Sequence, residues 1–466
     1  MTSLPVFRRR ALLGSLLAAT AWLAGCATPQ GADPQSAPTH PPILFLHGNG
    51  DGAAQWQSLL WRFESNGWPR ERLFALRHPY PFARSNDSVE QAGRTSTAEH
   101  MAFLQQEVER VRKATGAQKV VLVANSRGGL AVRNYIQNGG GAEAVSHAIL
   151  GGTPNHGVHA IPGFYNETEF SGLSPFMQQL NQPKNAAGDE VIGPVRWLTL
   201  RSDHNDRYAQ PDGRWLGRAG QPTNVGYDGP ALKGAVNVVL RGADHREVSF
   251  SAAAFAQTYR FITGAAPKTT AVVPEARVAV GGVVTGLGLD PLDARSGNTP
   301  NNLPLTGARV EVHAVNAATG AREGAPVLQQ TVAADGRWGP VPVAPGQPLE
   351  LVVSAPGYAT THYYRSGFVR SSDIVDLRGT RLAVADAHAP SVVILWRPRG
   401  YLDPGRAMLL DGKLPPNVPA GASTSWSKIQ VPGEQRTVVA EFDGERVVGQ
   451  SWPAKDGHMV YLELSY

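Results

Sequence analysis

The sequence predicts an α/β fold, a mostly parallel sheet with helices on both faces, followed by an all-β region. Three observations carry this. Over residues 43–264, short apolar runs stop in loops rich in Gly, Asn or Asp, and helical periodicity fills the intervals between them. Beyond Gly264 the pattern changes to short strands punctuated by turns such as Asp335-Gly336 and Pro345-Gly346. The composition agrees: 51 Gly and 36 Pro among 466 residues, with 17% charged residues, favour loop-rich and β-rich architecture over helical bundles.

Residues 1–26 read as a targeting leader and are set apart from the fold. Phe7-Arg8-Arg9-Arg10 is its charged start, 11–23 an apolar stretch too short to span a bilayer comfortably, and Leu23-Ala24-Gly25-Cys26 its end. The ending resembles a bacterial lipobox and Arg9-Arg10 a twin-arginine export signal. Those resemblances imply lipidation of Cys26, a membrane partner reached through that anchor, and, because Ala27 is not Asp, the outer membrane. Cys26 is the only cysteine, so no intramolecular disulfide forms. The proline-rich stretch 27–42 reads as a tether. Three of the charges behind the formal +5 sit in the leader, and no basic cluster follows, which argues against a nucleic-acid partner.

The first strand is expected at 43–46, running into His47-Gly48-Asn49-Gly50-Asp51-Gly52, with a helix over about 55–66 and a strand near 72–77. A second helix starts at Thr95 or Ser96 with Glu99 in its first turn, carries Met101, Leu104, Val108 and Val111 on one face, and stops at Gly116. Further strands are expected at 145–150, 197–200 and 236–240, and a closing helix over 249–262. Residues 158–190 hold Ile161, Phe164, Tyr165, Phe170 and Met177 among glycines and prolines; they either cap the site or form an excursion packed on the sheet. A connector at 265–274 leads to a β-sandwich expected over 275–380, resembling the transthyretin-like or carboxypeptidase-regulatory-like sandwich. A C-terminal β region over 381–466 is either a second module or a continuation of the first.

One stretch organises the chemistry. Val120 to Ala124 form a buried strand, Asn125-Ser126-Arg127-Gly128-Gly129 a sharp turn, and Leu130, Val132, Tyr135 and Ile136 a helical face. Ser126 stands at the tip, where a serine is exposed as a nucleophile. A serine hydroxyl needs a base and a group to hold that base in the right tautomer. His245, between the last strand and the closing helix, is the expected base; His147, His156, His159 and His204 are its competitors, and His47 reads as a residue that braces its loop. Asp206 is the favoured acid and Asp203, three residues earlier, the alternative. Asp244 reads as a loop residue, and Asp203, His204 and Asp206 lack a second motif that would make them a metal site. Two backbone N–H groups, those of Asn49 and Arg127, are expected to form the oxyanion hole, which leaves their side chains free to vary.

Phe45-Leu46-His47-Gly48, Ala124-Asn125-Ser126-Arg127-Gly128-Gly129 and Gly151-Gly152-Thr153-Pro154 resemble the blocks of α/β-hydrolases of the lipase and esterase type. Ala124 stands where most members have Gly, and Asn125 where lipases usually have His. The longer span, with Thr361-His362-Tyr363-Tyr364 in the β region, is similar to archaeal lipases that carry a C-terminal β-domain. The resemblance implies a serine carboxylic ester hydrolase working through an acyl-enzyme, without cofactor or metal, on an acyl ester, a lipid or a polyester of the polyhydroxyalkanoate kind. The other reading is an envelope- or polymer-binding lipoprotein on a hydrolase scaffold.

Overall fold

The computed structural model describes residues 40–203, 206–209, 212–213, 218–288, 299–418, 424–433 and 435–465. The leader, Cys26, most of the tether and His204 lie outside them. In order, the first half contains β1 (Ile43–Leu46), α1 (Gln57–Ser65), β2 (Leu73–Ala75), the two-residue strands β3 (Phe82–Ala83) and β4 (Arg94–Thr95), α2 (Thr97–Thr115), β5 (Val120–Asn125), α3 (Arg127–Asn138), β6 (Val145–Gly151), α4 (Pro175–Leu180), β7 (Arg196–Ser202), β8 (Val236–Leu240), α5 (Glu247–Phe250) and α6 (Ala252–Thr263).

Six of these strands form one sheet in the order β2-β1-β5-β6-β7-β8, parallel throughout. Because successive side chains leave a strand on opposite faces, its apolar runs feed two cores. Ile43, Phe45, Val121 and Val123 pack with Leu59 and Phe63 of α1 and Phe255 of α6. Leu44, Leu46, Leu122 and Ala124 pack with Leu104 and Val108 of α2 and Val132 and Ile136 of α3. The capping expected for α2 is present: the Ser96 side chain accepts the Glu99 N–H, Glu99 reaches back to the Ser96 N–H, and Gly116 ends the helix at φ 68°. The closing helix differs from its expected span. It is broken into α5 and α6 at Ser251, whose extended ψ of 165° interrupts the helix and whose hydroxyl then caps α6.

The second half contains β9 (Val278–Leu287), β10 (Pro300–Pro304), β11 (Arg309–Ala314), β12 (Leu328–Thr331), β13 (Arg337–Val343), β14 (Leu349–Ser354), β15 (Thr360–Arg365), β16 (Leu377–Arg378), β17 (Val392–Trp396), β18 (Met408–Leu410), β19 (Trp426–Gln430), β20 (Thr437–Phe442), β21 (Glu445–Gln450) and β22 (His458–Glu463). A sheet of β10-β9-β13 with β16 added beside β9 faces a seven-stranded sheet in the order β12-β11-β14-β15-β22-β17-β19. Val280, Val284 and Trp338 of the first interleave with Val310, Val312, Leu351 and Tyr363 of the second. β18-β20-β21 packs its Val438, Ala440 and Val447 on Val393, Leu395, Val460 and Leu462. The boundary expected at residue 380 is crossed by hydrogen bonds: β22 pairs in parallel with β15 on one side and β17 on the other, so 275–380 and 381–466 share one sheet.

The two halves are joined by buried contacts. Trp61 of α1 lies in the core of the β-sandwich, 2% exposed, and its indole N–H donates to Ser371 O at 2.8 Å. Ile374 in turn lies in the core of the parallel sheet. Arg77 grips Asp376 through two hydrogen bonds of 2.8 Å, and the Asn302 amide donates to Asp51 O and His78 O at 2.9 Å each. The connector is laid along α1, with Asn66 donating to Thr269 O and Arg62 to Thr270 O. Calorimetry is expected to give a single unfolding transition for both halves. Trp61→Ala should destabilise both together by about 3–5 kcal/mol, and two separated transitions would contradict the shared core.

Candidate active site

Ser126 is the single residue between β5 and α3, at φ 52° and ψ −124°. For a residue with a side chain this is strained backbone, held only where the surroundings fix it. The fixing contacts are short. The Ser126 N–H donates to Gly151 O at 2.8 Å, and the Ser126 carbonyl accepts from Gly129 at 3.0 Å. Gly128 is required by space, since a Cβ there would stand 2.7 Å from both Leu46 O and His47 O. The loop after β1 therefore passes directly beside the turn, and a Cβ on Gly48 would lie 3.0 Å from Ser126 Cβ.

Asn125 explains how the turn tolerates its departure from the usual lipase residue. Its amide donates to Gly151 O at 3.2 Å, His245 O at 2.9 Å and Ser249 Oγ at 2.8 Å. One buried side chain thus ties the ends of β5 and β6 to the loop carrying His245.

His245 follows β8 and is 7% exposed. Its Nδ1 lies 2.7 Å from Asp206 Oδ2, while Asp206 Oδ1 accepts the Tyr208 N–H at 2.8 Å. With Nδ1–H donated to the carboxylate, Nε2 is left as the nitrogen with a lone pair. The Tyr208 ring packs edge-on against the imidazole with centroids 4.5 Å apart, and burial pushes its phenol above the ordinary range. Asp203 is placed differently: its Oδ2 accepts the Gly242 N–H at 3.0 Å, across the turn after β8.

The competing histidines are occupied elsewhere. His156 contacts Glu190 at 3.0 Å; His147 sits between Ser146 and Arg196, where burial and that arginine lower it to about 4; His159 packs edge-on against Phe164. His47 braces its loop, with Nε2 accepting the His78 N–H at 3.2 Å, and burial holds it below the usual imidazole range. Among the described residues no group of three or more His, Cys, Asp or Glu side chains could hold a metal ion.

Ser126 and His245 open into one cavity of about 160 Å³, lined also by Asn49, Asp51, Gly152, Pro154, Val158, Phe170, Tyr208, Val225, Arg246 and Tyr401. Asn49 accepts the Ala83 N–H on its side-chain oxygen at 2.8 Å, which fixes the loop that passes Ser126. The Arg127 side chain is not free to vary, contrary to the expectation drawn from its main-chain role. It is fully buried, pairs with Glu169 at 2.9 Å, and donates to Pro81 O, Thr95 Oγ1 and Thr95 O at 2.8–3.2 Å. Segment 158–190 is thereby tied down at Glu169, and Arg133 of α3 ties it again at Asn181 and Glu190 O. Val158 and Phe170 are the parts of it that reach the cavity.

Sequence reasoning named Ser126, His245, Asp206, Asn49 and Arg127. It missed Asn125, Tyr208, Asp51, Arg246 and Tyr401. Asn125 lay in plain view inside the turn; the others carry no local signal, since their place at the cavity is fixed by tertiary packing. Gly128→Ala is expected to force the loop after β1 away from the turn and to cost about 1–3 kcal/mol by overpacking; denaturant midpoints measure it, and an unchanged midpoint would contradict the close approach.

Residues 40–166 match the family model described as lipase (class 2), a family of carboxylic ester hydrolases, and residues 277–382 match the lipase C-terminal domain. Solved structures similar to this chain include lipase B of Aspergillus fumigatus (14% identity, 49% of this chain, TM-score 0.34), of whose length the match spans only 54%. The mature lipase BlEst2 of Bacillus licheniformis is matched at 19% identity over 46% of this chain and 87% of that one, TM-score 0.31. The phospholipase PlaB of Legionella pneumophila is matched at 13% identity over 74% and 94%, TM-score 0.32. With the parallel sheet, the strained serine and the β-sandwich in hand, the two matches identify residues 40–166 as belonging to a class 2 lipase α/β-hydrolase domain and residues 277–382 as a lipase C-terminal domain.

Proposed function

We propose that the protein hydrolyses carboxylic esters through an acyl-enzyme, with Ser126 as nucleophile, His245 as base and Asp206 as the acid that orients it. The observation that carries this reading is the 2.7 Å pairing of His245 with Asp206 beside a cavity that also receives Ser126 from a strained turn. His245 Nε2 takes the Ser126 proton as Oγ bonds to the acyl carbon, then returns it to the departing alkoxide. In the second half a water loses its proton to the same nitrogen, attacks the acyl carbon and frees the acid, while Ser126 recovers its proton. The backbone N–H groups of Asn49 and Arg127 receive the oxyanion in both halves, each lowering the barrier by about 2.7–4 kcal/mol.

The walls favour a short acyl group. Pro154, Val158, Phe170 and Val225 give an apolar lining, but about 160 Å³ is small beside the ~300–1,000 Å³ of sites that enclose larger ligands. Against p-nitrophenyl esters of rising chain length, kcat/KM should peak at short acyl chains; a maximum at long chains would contradict this choice. Asp206→Asn should lower kcat by ~10⁴, as when a triad acid no longer holds the tautomer, and Asp203→Asn should be mild. The reverse ranking would move the acid to Asp203. Ser126→Ala should abolish both turnover and fluorophosphonate labelling.

We also propose attachment to a membrane through lipid on Cys26. No helix among the described residues is long and apolar enough to cross a membrane. The lipobox-like Leu23-Ala24-Gly25-Cys26 supplies the alternative, with ~0.8 kcal/mol per buried CH₂ of the acyl chains. Metabolic labelling with a fatty-acid analogue should mark the wild type and not Cys26→Ser. Unlabelled wild type recovered in the medium would mean an ordinary secretory signal.

A further inference from the structure

His245 sits inside a turn that the C-terminal β region holds shut. Asp244 Oδ1 accepts the N–H groups of Arg246 and Glu247, both at 2.8 Å, and Glu247 Oε2 accepts the Asp244 N–H at 3.0 Å, so the carboxylates on either side of His245 close a reciprocal ring around it. The remaining oxygens face the β region. Asp244 Oδ2 accepts from Arg397 Nη1 at 3.0 Å and from the Tyr401 N–H at 2.7 Å; Glu247 Oε1 accepts from Arg397 Nη2 at 2.5 Å and from Arg406 at 2.7 Å. Arg397 also donates to Tyr401 O at 2.7 Å and lies over the Phe442 ring at 4.3 Å. Asp244 and Arg397 are each 2% exposed. Tyr401 itself forms part of the wall of the cavity that holds Ser126.

Two carboxylates buried side by side repel unless a cation lies between them, and removing one member of such a cluster leaves uncompensated charge in a low dielectric. Arg397 is the cation that bridges Asp244 and Glu247, with Arg406 adding a second contact to Glu247. Asn125 grips the His245 carbonyl from the other side.

We infer that the β-region segment from Arg397 to Tyr401 is part of the ester site, Arg397 acting as a positioning residue for His245 through Asp244 and Glu247, and Tyr401 as a wall that limits the acyl group. The inference rests on the reading of His245 as the base. It gives the C-terminal region a role in turnover itself, separate from any binding of substrate at a distance. Small displacements of a catalytic group are enough to matter, since about 1 Å of misplacement costs on the order of 10²-fold in rate.

The test uses the full chain. Arg397→Met, which keeps length and removes charge, should lower kcat by ~10²-fold with KM little changed, and Arg397→Lys should recover part of the loss. The downfield proton resonance of His245 Nδ1–H, identified by its loss in His245→Gln, should shift or broaden in Arg397→Met while far-UV circular dichroism matches the wild type. Tyr401→Ala should instead move the chain-length optimum toward longer acyl groups. A folded Arg397→Met with wild-type kcat and an unmoved resonance would overturn the inference. If Arg397→Met does not fold, Arg397→Lys carries the test, because it keeps the charge and loses the two-pronged geometry; wild-type kcat and resonance in that variant would likewise overturn it. A wild-type chain that turns over no ester would refute the proposed activity, and the resonance in the Arg397 variants would still decide the clamp.

Discussion

The rest of the molecule is arranged around a backbone that would not hold its shape alone. Ser126 at φ 52° costs on the order of 1–3 kcal/mol, and it stays there because both flanking elements are buried and cannot relax. The six residues of β5 are all buried, as are most of α3, so the joint between them cannot move without disturbing two cores. That constraint propagates outward. The loop after β1 must pass close to the turn, which leaves no space for a Cβ at Gly128, and the end of β6 must present Gly151 O to the Ser126 N–H.

A second consequence concerns charge. Around the cavity the walls are held by ion pairs, buried for Arg127 with Glu169 and Arg397 with Asp244 and Glu247, and half-buried for Arg246 with Asp51. Such pairs add little net stability because desolvation offsets most of their attraction, but each demands one geometry and penalises its loss. Arg246 illustrates the balance. Burial works to lower its guanidinium, and Asp51 with the neighbouring phenols more than reverses that, so it stays charged beside His245. Segment 158–190, which sequence alone leaves open as a cap or a packed excursion, is fastened to the body by the same device at Glu169 and by a hydrogen bond from Arg133 at Asn181.

What was legible in the sequence follows from how local each signal is. The strand at Val236–Leu240 and the capping box at Ser96 and Glu99 are written within a few residues and were read where they stand. The break at Ser251 was missed because Ser is tolerated inside helices and its neighbours, Phe250 and Ala252, read as continuous helix. β13 shows in the sequence only through the turn Asp335-Gly336 before it, since Pro340 and Pro342 argue against a strand interior; its pairing with β9 is irregular between Trp338 and Val341, where Gly339 and Pro340 fall. The choice between Asp203 and Asp206 is invisible in one dimension. Both lie in one loop, and only the position of the Gly242 turn shows that Asp203 serves the backbone while Asp206 reaches the imidazole.

The β region was the least legible part, and the reason is physical. A sandwich appended by a connector usually reads as a separate body, with its core closed on itself. Here β22 returns near the end of the chain to sit between β15 and β17, so the final residues complete a sheet begun far earlier in the chain, at β11. That closure fixes the loop after β17, and Arg397 and Tyr401 stand on this loop. His245 is thus held between two long-range structures: the parallel sheet, through Asn125, and a β-sandwich that is complete only when the whole chain has folded. A segment far from Ser126 in sequence therefore helps set the geometry of its cavity, because the sheet that carries it is rigid where a tether would not be.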